Sequence, residues 1–129
     1  MGLFGNSQTK DFKNKVVDVF NLLASFSYGE LPSSAKPRID MNYRELKALY
    51  NRFSNPFEEY YNSYTTFTSP FGDKTSIAEG MYIIYLAKEV AFQGLRISKE
   101  VHQRIVIEAR TLCSSYSGRQ EVKNIISNS

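Results

Sequence analysis

Residues 76–94, SIAEGMYIIYLAKEVAFQG, constrain the fold of this chain more than any other stretch. Ser76 and Glu79 are spaced as a capping box, in which the hydroxyl accepts from the Glu79 amide and the carboxylate accepts from the Ser76 amide. Gly94 stands where a left-handed residue closes a helix. Between these signals, steps of about 100° leave almost no continuous polar face. Ile77, Met81, Ile84, Tyr85 and Phe92 fill one side, and Ile83, Leu86 and Val90 occupy much of the other. A helix that is apolar nearly all round has to be surrounded by other elements. The pattern therefore predicts an all-α fold, an irregular five- to six-helix bundle around a central apolar helix at 76–93.

The 129 residues fit one helical domain, long enough to bury a core without metal or disulfide staples. Nine Phe and nine Tyr supply bulky core material in the absence of Trp. Cys113 is the single cysteine, which excludes an internal disulfide framework and suits a reducing compartment. The longest apolar run of the central helix, Gly80 to Ala87, is far short of the roughly 20 residues that span a bilayer, so no membrane insertion is expected. MGLFGNSQTK lacks a basic n-region and an adequate apolar segment for secretion. It also misses the myristoylation pattern at Asn6. These features point to the cytoplasm.

Residues 1–9 read as a flexible leader. Phe12, Val16, Val19, Leu23 and Phe26, with Phe20 beside them, form a helical stripe over 10–27, and Tyr28-Gly29 ends it. Tyr28 to Met41 holds two prolines and no evident helical period, and reads as a long connecting loop, a class that is often functional. Asn42 with Glu45 marks a looser cap for a helix over 42–54, whose buried face is Tyr43, Leu46, Leu49, Tyr50 and Phe53. Asn55-Pro56 places a cap residue before a proline at the first helical position, and predicts a third helix over 56–67. Its stripe is wholly aromatic: Phe57, Tyr60, Tyr61, Tyr64 and Phe67. Phe71 to Thr75 is a turn into the central helix. Ser98 caps a fifth helix reaching Tyr116; Gly118 interrupts, and Ser117 with Gln120 starts a short helix or tail over 117–129 carrying Val122, Ile125 and Ile126. Gly80, Ala87 and Ala91 lie along one side of the central helix and allow a neighbour to approach closely.

Catalytic and metal-ligating patterns are weak. His102, the only histidine, falls within the apolar stripe of Val101, Ile105, Val106, Ala109 and Leu112, and reads as a packed side chain at the core edge. Cys113 lies eleven residues on, roughly 16 Å along one helix, too far for a Cys–His dyad. It reads as a small buried hydrophobe. Glu58 and Glu59 are adjacent and point to different helix faces. No EF-hand, HExxH or CxxC pattern occurs, GDKT at 72–75 lacks the upstream glycine and strand of a phosphate loop, and GLFG at 2–5 stands alone. No catalytic residue, cofactor or metal site is assigned. The aromatic stripe Phe57–Phe67 reads as core, with a stacking platform as the functional alternative.

Charge is more informative. The net charge is +3, and it is uneven. Residues 31–55 hold five basic side chains (Lys36, Arg38, Arg44, Lys47, Arg52) against Asp40 and Glu45. Residues 56–80 hold Lys74 against four acids. Arg44 and Lys47 share the solvent face of the second helix with Asn51, and Lys36 and Arg38 precede them. Prolines pre-order an extended segment, and Tyr and Arg are the residue types that dominate interface energetics. The sequence is thus read as a non-catalytic protein-interaction protein, an adaptor, inhibitor or complex subunit, whose contact residues are Tyr28, Leu31, Lys36, Arg38, Arg44 and Lys47. The alternative is a nucleic-acid-binding module that uses the same basic patch for weak, sequence-independent contact. A small enzyme with an unrecognised site stands third.

Overall fold

The computed structural model describes residues 2–25, 33–57, 66–68 and 74–129. It is an all-α bundle of five helices among the described residues: α1 (Gly2–Ala24), α2 (Ala35–Tyr50), α3 (Ile77–Phe92), α4 (Lys99–Cys113) and α5 (Tyr116–Ser127). Two short strands, β1 (Thr66–Thr68) and β2 (Lys74–Ser76), pair antiparallel with Phe67 opposite Thr75.

Helix α3 is the hub. It packs against α1, α2, α4 and α5, and Ile77, Ala78, Met81, Ile84 and Ala87 are fully buried. Its start is fastened chemically. The Ser76 amide donates to Glu79 Oε1 at 2.8 Å, and the Glu79 amide donates to Ser76 Oγ at 3.1 Å. The Ala78 amide, another donor without an intrahelical partner, reaches the Pro56 carbonyl at 2.7 Å. At the other end Gly94 adopts φ 75°. Its amide donates to the Ala91 carbonyl and the Leu95 amide to the Val90 carbonyl, which together make a Schellman closure. The expected central helix and both its signals are present.

Around it, Phe12, Val16, Val19 and Leu23 of α1 and Ile105, Val106 and Ala109 of α4 bury the faces expected of them. Phe20 meets His102 edge-on at 5.4 Å between ring centroids, so the histidine is a packed side chain linking α1 to α4. Cys113, the single cysteine, is buried.

Four expectations need correction. Helix α1 begins at Gly2 and includes the stretch read as a leader; Thr9 is already buried. Helix α2 begins at Ala35, within the stretch read as a loop, so Pro37 and Ile39 are helical. The end of the expected 56–67 helix is strand β1, where β-branched Thr66 and Thr68 suit an extended backbone. Residues 58–65, which carry most of the aromatic stripe, lie outside the described residues. Finally, α4 ends at Cys113, and α5 is capped by Ser115, whose Oγ accepts from the Gly118 amide at 3.1 Å. Gly118 is therefore inside a helix. A Cβ there would lie 1.9 Å from the Leu112 carbonyl oxygen, so this position admits only glycine without a backbone shift.

Candidate functional site

Helix α2 carries the sequence-predicted site, and its orientation follows from its core contacts. Ala35, Ile39, Tyr43, Leu46 and Tyr50 are its buried residues, spaced by three or four, and they form one stripe. The stripe runs through Pro37 without a break. As the third helical residue, Pro37 has an amide position that needs no intrahelical partner, and its ring has no helical carbonyl before it to strike.

The stripe fixes what the opposite face presents. At about 100° per residue, Met41 lies near the outward apex. It is 59% exposed, and Arg38 and Arg44, three residues before and after, are both exposed. Glu45 also points outward, but its carboxylate is held by the Lys15 ammonium of α1, which donates to Asn42 Oδ1 at 2.9 Å as well. Among the described residues, Arg38 and Arg44 form no ion pair. The result is a guanidinium–thioether–guanidinium strip on a helix clamped from behind.

Lys36 and Lys47 sit elsewhere. Both lie on the flank of α2 that faces α3 and α5, where Lys36 Nζ stands 5.8 Å from the centroid of the Phe92 ring and Lys47 Nζ donates to the Ser127 carbonyl at 3.2 Å. Lys88 of α3 joins them, 4.1 Å above the Tyr43 ring and 5.6 Å from that of Phe92. Tyr43 hydrogen-bonds Ser129 through their hydroxyls at 2.6 Å. Burial pushes the Tyr43 hydroxyl up to about 12; the bond to Ser129 opposes the shift, and the charges of Tyr85 and Glu89 add to it. This lysine cluster therefore braces α2 against the C-terminal ends of α3 and α5.

The predicted contact residues thus divide. Arg38 and Arg44 share one outward strip, whereas Lys36 and Lys47 serve the brace. Tyr28 and Leu31 lie outside the described residues. Ile39 is fully buried because it is a core residue of α2. Met41 is not legible in the sequence as a helical surface residue, because it closes a stretch with two prolines and no evident helical period. Nor is Lys88, because nothing local places a lysine of the central helix over two distant rings.

Other sites are modest. An open groove of about 420 Å³ lies between α3 and α5, lined by Tyr85, Lys88, Glu89, Asn124 and Asn128 among others. One ammonium and one carboxylate face it, so it expresses no preference for either sign of ligand. Among the described residues no three His, Cys, Asp or Glu side chains gather to hold a metal ion, and no helix is long and apolar enough to cross a membrane. Comparison with protein families, with curated proteins and with solved structures finds no match to this chain.

Proposed function

We propose that this chain is a non-catalytic protein-interaction protein, acting as an adaptor, inhibitor or complex subunit, and that it meets its partner through the outward face of α2. The observation that carries this reading is Met41, 59% exposed at the apex of a helix whose other face is core, with Arg38 and Arg44 on either side. Met and Arg are among the residue types enriched at protein interfaces. A rigid helix presenting them loses little conformational entropy on association. A nucleic-acid backbone is served less well, because the phosphates that suit the arginines would bring no apolar surface to cover Met41. The same reading puts the protein in the cytoplasm, a reducing compartment that suits a chain with a single cysteine.

Affinity capture from a nuclease-treated extract tests the proposal. A partner protein should be retained by the intact chain and lost with Arg38→Glu combined with Arg44→Glu. Retention that vanishes on nuclease treatment would instead favour nucleic acid as the partner, and capture that survives the double substitution would place the contact surface elsewhere.

A further inference from the structure

Two helices turn an apolar side chain outward between arginines three residues to either side. On α2 the set is Arg38, Met41 and Arg44; on α4 it is Arg104, Ile107 and Arg110, with Ile107 63% exposed. Their acids differ. On α4, exposed Glu100 and Glu108 stand one helical turn before and after Arg104, a spacing at which opposite charges offset one another. On α2 the outward acid, Glu45, is drawn to Lys15. Asp40 is half-buried, and among the described residues it forms no ion pair with Arg44. The two strips share a spacing, but α2 sets Lys36, Arg38, Arg44 and Lys47 against Asp40 and a Glu45 shared with Lys15, whereas α4 sets Lys99, Arg104 and Arg110 against Glu100 and Glu108, so α2 presents the more positive face.

Building on the proposed role of that face, we infer that the partner is an acidic amphipathic helix that seats an apolar side chain on Met41 and sets a carboxylate against each of Arg38 and Arg44. The spacing supports this occupant. Six residues separate the arginines, roughly 9 Å along the axis at about 1.5 Å per residue. A helix lying alongside presents residues i, i+3 and i+7 on one face, with the outer two roughly 10.5 Å apart. Glu-x-x-Leu-x-x-x-Glu therefore places both carboxylates within the sweep of the guanidinium groups and the leucine over the thioether. Each guanidinium can engage a carboxylate through two parallel N–H donors, which a lysine cannot do. The flanking Lys36 and Lys47 extend the positive field that steers an acidic helix toward the strip.

Fluorescence anisotropy with a labelled synthetic helical peptide bearing Glu-x-x-Leu-x-x-x-Glu on one face, titrated with the whole protein at low salt, provides the test. Binding should saturate, weaken roughly tenfold or more with Arg38→Glu plus Arg44→Glu, and weaken several-fold with Met41→Ala. Arg104→Glu plus Arg110→Glu should leave it unchanged, and a Gln-for-Glu peptide should not bind. Equal weakening by the α4 pair, indifference to Met41→Ala, or displacement of the peptide by a mixed-sequence DNA duplex would overturn the inference. Failure of the peptide to bind while cellular capture still depends on Arg38 and Arg44 would remove this partner class and leave the face. Capture that ignores those arginines would remove the face itself.

Discussion

Gly118 shows how one missing side chain joins two helices. The chain turns from α4 into α5 within a few residues; the Gly118 amide donates to the Ser115 cap, and the bare Cα of Gly118 faces the Leu112 carbonyl. A methyl group at that position meets backbone, which yields far less readily than the end of a flexible side chain. Gly118→Ala should therefore destabilise the protein by about 1–3 kcal/mol, the range for forcing atoms into a packed site, despite alanine's better helix propensity. Thermal or chemical denaturation checks this, and a stabilised variant would show that the α4–α5 junction is looser than described. In the sequence this glycine reads as an interruption between two helices. A glycine that breaks a helix and one that admits a neighbouring carbonyl look alike until the neighbour is known.

At the scale of elements, α3 and α2 make a contrast. The limits of α3 were legible because a capping box and a left-handed glycine are local chemistry, written within a few residues of where they act. The start of α2 was not, because two prolines and a run of small polar residues outweighed a period that was there to be read: Ala35, Ile39, Tyr43, Leu46 and Tyr50. The direct check is Ile39→Ala. Inside a loop it would cost little, whereas a fully buried residue of α2 should cost about 2–5 kcal/mol. Amide exchange around Ile39 should also be slow, as in a packed helix, and rapid exchange there would restore the loop reading. Strand β1 was illegible for another reason: Thr66–Thr68 pairs with Lys74–Ser76, and nothing in either segment alone names its partner. The candidate site inherited these outcomes. Arg38 and Arg44 were legible as charges, but their common strip with Met41 emerges only once α2 has its true register.

For the whole molecule, buried tyrosine replaces the absent tryptophan and leaves a titration signature. Tyr43, Tyr50 and Tyr82 are each pushed from 10.0 up to about 12, chiefly by desolvation on burial. Each therefore holds its proton more tightly when folded than when unfolded. That contribution to stability is whole below pH 10, where the hydroxyls are protonated in both states, and it is lost as pH rises toward about 12. Melting temperature should hold steady up to about pH 10 and fall steeply above it. A Tyr43→Phe variant should show a shallower fall, because the brace would then hold one fewer buried hydroxyl. No change in slope would mean that this hydroxyl is open to water.

The proposed division of labour within α2 has one face holding the bundle together and the other meeting a partner. Two properties of a single variant test it together: the melting temperature and the partner affinity of Arg38→Glu plus Arg44→Glu, set beside the same substitutions at Arg104 and Arg110. Arg38 and Arg44 are exposed, so the α2 pair should not alter stability by more than about 0.5 kcal/mol per substitution. The α2 pair alone should abolish partner binding. Binding that survives in the α2 variant, or a loss that comes with a collapse in melting temperature, would contradict the account.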